Sequence, residues 1–381
     1  MRIGVSGPAR LPVAGLCVRY RSWCLRNVPR NLPEVPMTVA AGIANHFPNA
    51  VPVAASAPLC AVLIDAEEDF DWLHPARGVP YDVDCMRHLS DLQQIVAGHG
   101  AVPTYLLTYP VLQDAGIVAD LRAMLARGVC QLGIQLHPWV TPPFSEPADV
   151  RNSFAGNLSA GLEEHKLINL MQAFRAAFGH DPTIFRAGRY GLGLQTPDLL
   201  ERHGFLVDTS LAPSTSFVEE GGPDFSDSDY STFWFGRERR ILELPLCRSI
   251  AGWGGHPAAQ AYRWLAGAAP RRTPALRHLP ALLAWSRCAE RITLSPEGND
   301  TVATGRLVTS LLRRGQTVLA LSLHSSSLSI GRNPYVRSQT DLHRFYDRFA
   351  AMLDMLAHRF GTRFVAALDL PAILSGDSPP G

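Results

Sequence analysis

Short apolar, β-branched runs alternate with amphipathic helical stretches from residue 59 almost to the end of the chain, and nothing else in the sequence narrows the fold so far. LCAVLID at 59–65 suits a buried strand. So do AVPTYLLT (101–108), CQLGIQLH (130–137), TIFRAG (183–188), FLVDTS (205–210), ILELPL (241–246) and TVLALSLH (317–324). Between them, Met86, Leu89, Leu92, Ile95 and Val96 recur at helical spacing. A second helical stretch runs to Gly128, and residues 159–178 run to Gly179. Thr196 reads as the cap of PDLLERHG, and residues 341–358 form a last amphipathic helix. Such alternation predicts parallel strands with right-handed helical crossovers. About seven strands suit an α/β fold of the distorted (β/α) barrel type, whose chemistry gathers at the C-terminal strand ends. Polar residues stand at those ends: Asp65, Glu67, Glu68, Asp69 and Asp71, then Gln135, His137 and Trp139, then Arg186, Arg189 and Tyr190, and finally His324 with Ser325–Ser327.

Composition excludes several classes. Lys+Arg is 35 against 34 acids, a net charge of +1, which removes the electrostatic case for a nucleic-acid or anionic-membrane partner. No apolar run reaches the roughly 18–20 residues of a membrane span. Seven scattered cysteines without a CxxC argue against a disulfide framework and a cysteine zinc site. Residues 1–57 differ from the rest: six arginines and no acid precede Glu34, and prolines follow. Neither transit-peptide amphipathicity nor the apolar centre of a secretory signal is visible there. This segment reads as a loosely ordered extension, with Met37 as an alternative start. Residues 58–376 then form the barrel, with excursions at 213–236 and 251–300 over its catalytic face. The expected location is cytoplasmic.

IDAEEDFDW packs five carboxylates into seven positions, 65–71. Mutual repulsion raises their pKa values unless a cation or an arginine compensates. A divalent cation plus a general base uses such a cluster; a solvated acidic loop is the plainer reading. His137 ends its strand in GIQLHPWVTPPF, where Trp139 and Phe144 offer flat faces for a sugar ring. Arg186 in FRAGRYGLG suits a bidentate grip on a carboxylate. Gln135, Trp139, Arg189 and Tyr190 are the candidate substrate contacts. His324 in LSLHSSSL suits a general acid, or a buried structural histidine; the serines lack a GxSxG elbow.

Together, IDAEEDFDW, QLHPWVTPPF, GNLSAGLEEHKL, FRAGRYGLG and the segment from HSSSL to YDRF resemble the polysaccharide deacetylase family, the nodulation-protein-B homology domain of carbohydrate esterases, in a divergent branch. The resemblance spans residues 59–371. It implies a distorted barrel and metal-assisted hydrolysis of an N-acetyl or O-acetyl group from a saccharide. It also implies that Asp65 is the base, Arg186 orients it, and His324 is the acid. The family's second aspartate is replaced by Ala66, and its second histidine by Thr141, four residues after His137. Glu67 and His137 are then the expected ligands of a divalent metal, zinc first, with no metal as the alternative. Competing readings are a metal-independent hydrolase of a small C–N substrate and an inactive barrel binding glycans through Trp139, Phe144, Trp234 and Trp253. A third is a glycoside hydrolase with Glu243 as its second acid.

Overall fold

The structure, a computed structural model, describes Phe47 and residues 49–69, 81–227, 231–238, 240–266, 276 and 278–376. Asp71 and residues 1–46 of the amino-terminal extension lie outside the described residues.

The described strands are β1 (Val51–Pro52), β2 (Leu59–Ala66), β3 (Thr104–Leu107), β4 (Gln131–Leu136), β5 (Ile184–Ala187), β6 (Val207–Asp208), β7 (Phe233–Phe235), β8 (Ile241–Glu243), β9 (Arg248–Ala251), β10 (Glu290–Thr293), β11 (Val318–His324) and β12 (Arg363–Phe364). Seven of them run parallel in the order β8–β6–β5–β4–β3–β2–β11. β7 adds to β8 in antiparallel fashion, and β1 adds to β7. β12 lies on β2 at Leu59 and Cys60, below the point where β3 begins. This is the distorted α/β barrel pattern, and its parallel strands are buried on both faces, hence their continuous apolar runs.

β8 and β11 share no ladder. The interval is spanned by Leu294, whose N–H donates to the Cys247 carbonyl (2.7 Å) and whose carbonyl accepts from the Ser322 N–H (3.1 Å). Leu294 directly follows β10, which pairs with β9 as a separate hairpin. That hairpin and the helices Gly255–Ala266 and Leu279–Trp285 make up the described part of the 251–300 excursion, with a small core around Ile250, Ala259 and Ala289. Residues just before 58 are part of the fold: Phe47 is buried edge-on to Phe233 and Phe235, and β1 extends the sheet.

Helix boundaries follow local chemistry. Ser159 accepts from the Leu162 N–H at the start of Ala160–Phe178, and Gly179 ends it at φ 81°. Asp114 caps Ala115–Ala126 in the same way. Thr196 does not cap its helix. It stands inside Thr196–Arg202, where its hydroxyl donates to Glu163 (2.6 Å) and accepts from the Gly193 N–H (2.9 Å). Gly133 permits close approach of β4 and β5: a Cβ there would lie 2.8 Å from the Ile184 Cβ and carbonyl oxygen.

Candidate active site

Register brings the chemistry together. β11 pairs with β2 so that His324 stands directly beside Asp65, and β4 pairs with β5 so that Gln135 stands beside Arg186. All four residues line one cavity of about 590 Å³ at the C-terminal strand ends, together with Glu67, His137, Arg189 and Tyr190. Both excursions supply its walls, Phe217 and Glu220 from the first and Arg291 to Asn299 from the second.

A buried charged chain forms the floor. Arg186 donates from NH1 to Asp65 Oδ1 and from Nε to Thr209 Oγ1 (2.9 Å). Asp65 Oδ2 faces His324 Nε2 at 3.4 Å. His324 Nδ1 meets Glu297 Oε2 at 2.7 Å, and Glu297 Oε1 accepts from the His324 N–H and the Ser327 hydroxyl. Burial pulls the His324 pKa down, but Glu297 first, then Glu67 and Asp65, outweigh it and push it up to about 10. Glu297 is held below the ordinary glutamate value: burial opposes this, and the His324 charge and hydrogen bonds prevail. Burial, opposed by His324 and reinforced by Asp65, Glu68 and Glu297, lifts Glu67 well above the ordinary value.

The acidic cluster divides by position. β2 ends at Ala66, so the strict alternation expected beyond it stops there. Glu67 reaches the cavity, with its N–H on Ser325 Oγ (3.1 Å). Glu68 is fully buried and bonds His137 Nδ1 at 2.8 Å. Asp69 turns to Arg332 at 3.3 Å, where burial raises its pKa to about 6.

His137 lies beside the candidate ligand set. Its Nδ1 meets Glu68, its Nε2 faces the Gln135 amide nitrogen at 3.0 Å, and Glu67 Oε2 is 3.6 Å away. The ligand atoms that converge within 4.8 Å are those of Asp65, Glu67 and His324. Of the two expected ligands, Glu67 belongs to that group, and His137 Nε2 faces Glu67 Oε2 at 3.6 Å. Two carboxylate oxygens and one imidazole nitrogen suit a divalent cation in kind and spacing. Glu67 Oε1, Gln135 Oε1 and Arg186 NH2 are buried without a hydrogen-bond partner, so the floor is poised for something more than it holds.

Other expectations shift as well. Trp139 is not a sugar platform: it is buried, stacked on His137 at 4.1 Å, because the Pro138 turn folds it under the ring. Arg189 lines the cavity but is engaged by Ser153 (2.7 Å), Glu220 and the Phe154 face. Tyr190 lines it too, between the Arg186 guanidinium and Phe217, and burial raises its pKa to about 12. Glu243 is fully buried beside Asp208, its register partner, outside the cavity, which removes it as a second glycosidic acid. Trp253 is exposed and outside the cavity lining. Glu297 and Glu68 were not singled out as partners of the two histidines. For Glu297 the only signal was its place four residues after ERIT (290–293), a short run amid glycine and proline.

The fold and site define a barrel with a buried acid–base constellation at the C-terminal strand ends. No family model and no curated protein matches the chain. Among solved structures it is similar to a protein assigned as a polysaccharide deacetylase from Mycobacterium smegmatis (16% identity, 87% of this chain and 98% of that one, TM-score 0.45). It is likewise similar to one from Pseudomonas aeruginosa PAO1 (14%, 93% and 100%, TM-score 0.44) and to Puue allantoinase (12%, 93% and 100%, TM-score 0.44).

Proposed function

We propose that this chain is a hydrolase that removes acetyl groups from an N- or O-acetylated saccharide. The observation that carries the reading is the Arg186–Asp65–His324–Glu297 chain across the cavity floor. Asp65 takes the proton of the attacking water at Oδ2, because Oδ1 is engaged by Arg186, which also fixes the carboxylate. His324, held by Glu297 at Nδ1, hands a proton from Nε2 to the departing amine or hydroxyl. The partnerless Arg186 NH2 and the Gln135 side chain border the space where the acyl group sits. Glu67 and His137, whose Oε2 and Nε2 lie 3.6 Å apart, would hold a divalent cation and leave Asp65 Oδ2 and His324 Nε2 free for the proton transfers; the cation would supply Lewis acidity to the carbonyl and acidify the water.

A second reading, hydrolysis without a metal, is supported by Thr141, which stands where the resemblance expects the second histidine of a metal set. Acetate release from N-acetylated oligosaccharides, with Zn²⁺ and with chelator, beside Asp65→Asn, tests both. Release that needs Zn²⁺ and vanishes in the variant supports the first; release unaffected by chelation supports the second. Glycan binding without acetate under any metal would end both.

A further inference from the structure

The cavity has a second electrostatic pole. β9 and β10 place Arg248 opposite Thr293, and Arg291 two positions before Thr293 on the same face. All three line the cavity wall, with Ser295 and Asn299 beyond them. Arg248 is fixed as a site residue is fixed: its Nε donates to Thr293 Oγ1 and its NH1 to Thr215 Oγ1, both at 2.8 Å. Those bonds use two of its five N–H groups.

Arg186 has Asp65, Arg189 has Glu220 and His324 has Glu297. Among the described residues, Arg248 and Arg291 form no ion pair with a carboxylate. Burial, aided by the Arg291 charge, lowers the Arg248 pKa from its ordinary value. A largely buried guanidinium beside another positive group is costly, and it persists where a ligand supplies the opposite charge. Thr293, Ser295 and Asn299 add neutral hydrogen-bonding groups around the same position, as an oxyanion subsite needs.

We propose that Arg248 and Arg291 form an oxyanion subsite and that the substrate is an anionic saccharide, carrying a carboxylate or phosphate beside its acylated position. This rests on the deacetylase reading for the sugar, but not for the anion. The acidic floor binds the reacting group, and the cationic wall orients the molecule through its charge.

The test is calorimetric titration of the wild-type protein with four probes: N-acetylglucosamine, N-acetylglucosamine 1-phosphate, N-acetylmuramate and inorganic phosphate. The expected result is at least tenfold tighter binding of one anionic sugar than of the neutral one. The phosphate and carboxylate probes separate the two sources. Arg291→Gln, an exposed position safe for folding, should reduce that advantage three- to tenfold, and Arg248→Met should remove it. Inorganic phosphate binding that both substitutions abolish, with no sugar bound, keeps the oxyanion subsite and ends the saccharide reading. Neutral and anionic sugars bound equally, no anion bound at all, or an advantage that survives both substitutions would overturn the proposal.

Discussion

At the scale of single residues, geometry demands particular side chains. Arg186 serves Asp65 and Thr209 at once from two N–H groups of one rigid planar fork, a spacing that a single ammonium nitrogen does not reproduce. Arg186→Lys should therefore lower kcat by about 100-fold, since small misplacements of a base cost that much, while KM changes little; steady-state kinetics reads this directly. Glu163 is a different case. Burial raises its pKa to about 7 against the resistance of hydrogen bonds from Thr196 and Gln195. Its folded form holds the proton more tightly than the unfolded chain. Its stabilising contribution is thus complete below pH 4.5 and is lost as pH rises through 7. That loss is about 3 kcal/mol, and Glu163→Gln should flatten urea-denaturation stability across this window.

At the scale of elements, the helix Ala160–Phe178 ties the site together with two buried ionisable side chains. Glu163 anchors the 193–196 turn after β5. Lys166, the chain's only lysine, donates to the carbonyls of Pro138 (2.9 Å), Thr141 (2.7 Å) and Pro143 (2.7 Å) and meets Glu146 at 3.0 Å. It holds the loop that begins at His137. Lys166→Met removes the cation beside Glu146 and the donor to those carbonyls and should cost about 3–5 kcal/mol. Hydrogen exchange confined to residues 138–146 should accelerate first. Gly188 is the other constraint: a Cβ there would lie 2.3 Å from His137 Cδ2 and 2.6 Å from the Leu136 carbonyl. Gly188→Ala should displace His137 and abolish activity before it abolishes folding, which circular dichroism beside the acetate assay would separate.

At the scale of the whole molecule, the succession of parallel strands and the strand-end positions of Asp65, Arg186 and His324 were legible because each residue ends an apolar run. Such runs announce buried parallel strands without help from context. Glu297, Arg248 and Arg291 were not legible, since strands of four residues amid glycine and proline carry too little periodicity. Trp139 was misplaced because an aromatic after a histidine does not reveal which face of the turn it takes. The Glu68 partner of His137 was not legible, because Glu68 looked in sequence like one more member of an acidic cluster. The assembled floor makes a prediction of its own. Zn²⁺ added to chelator-stripped protein should raise Tm, by an amount equivalent to about 2.7 kcal/mol at a hundredfold excess over Kd. The gain should be larger at pH 8 than at pH 6, because the ligands must shed protons, and Glu67→Gln should erase it.

The seam crossed by Leu294 has an evolutionary corollary. The arginine-bearing hairpin enters where the parallel strands share no ladder, so lengthening, shortening or recharging it leaves every parallel pairing intact. Selection can therefore alter the charge on that one hairpin while Asp65, Arg186 and His324, which stand on the parallel strands, are inherited unchanged.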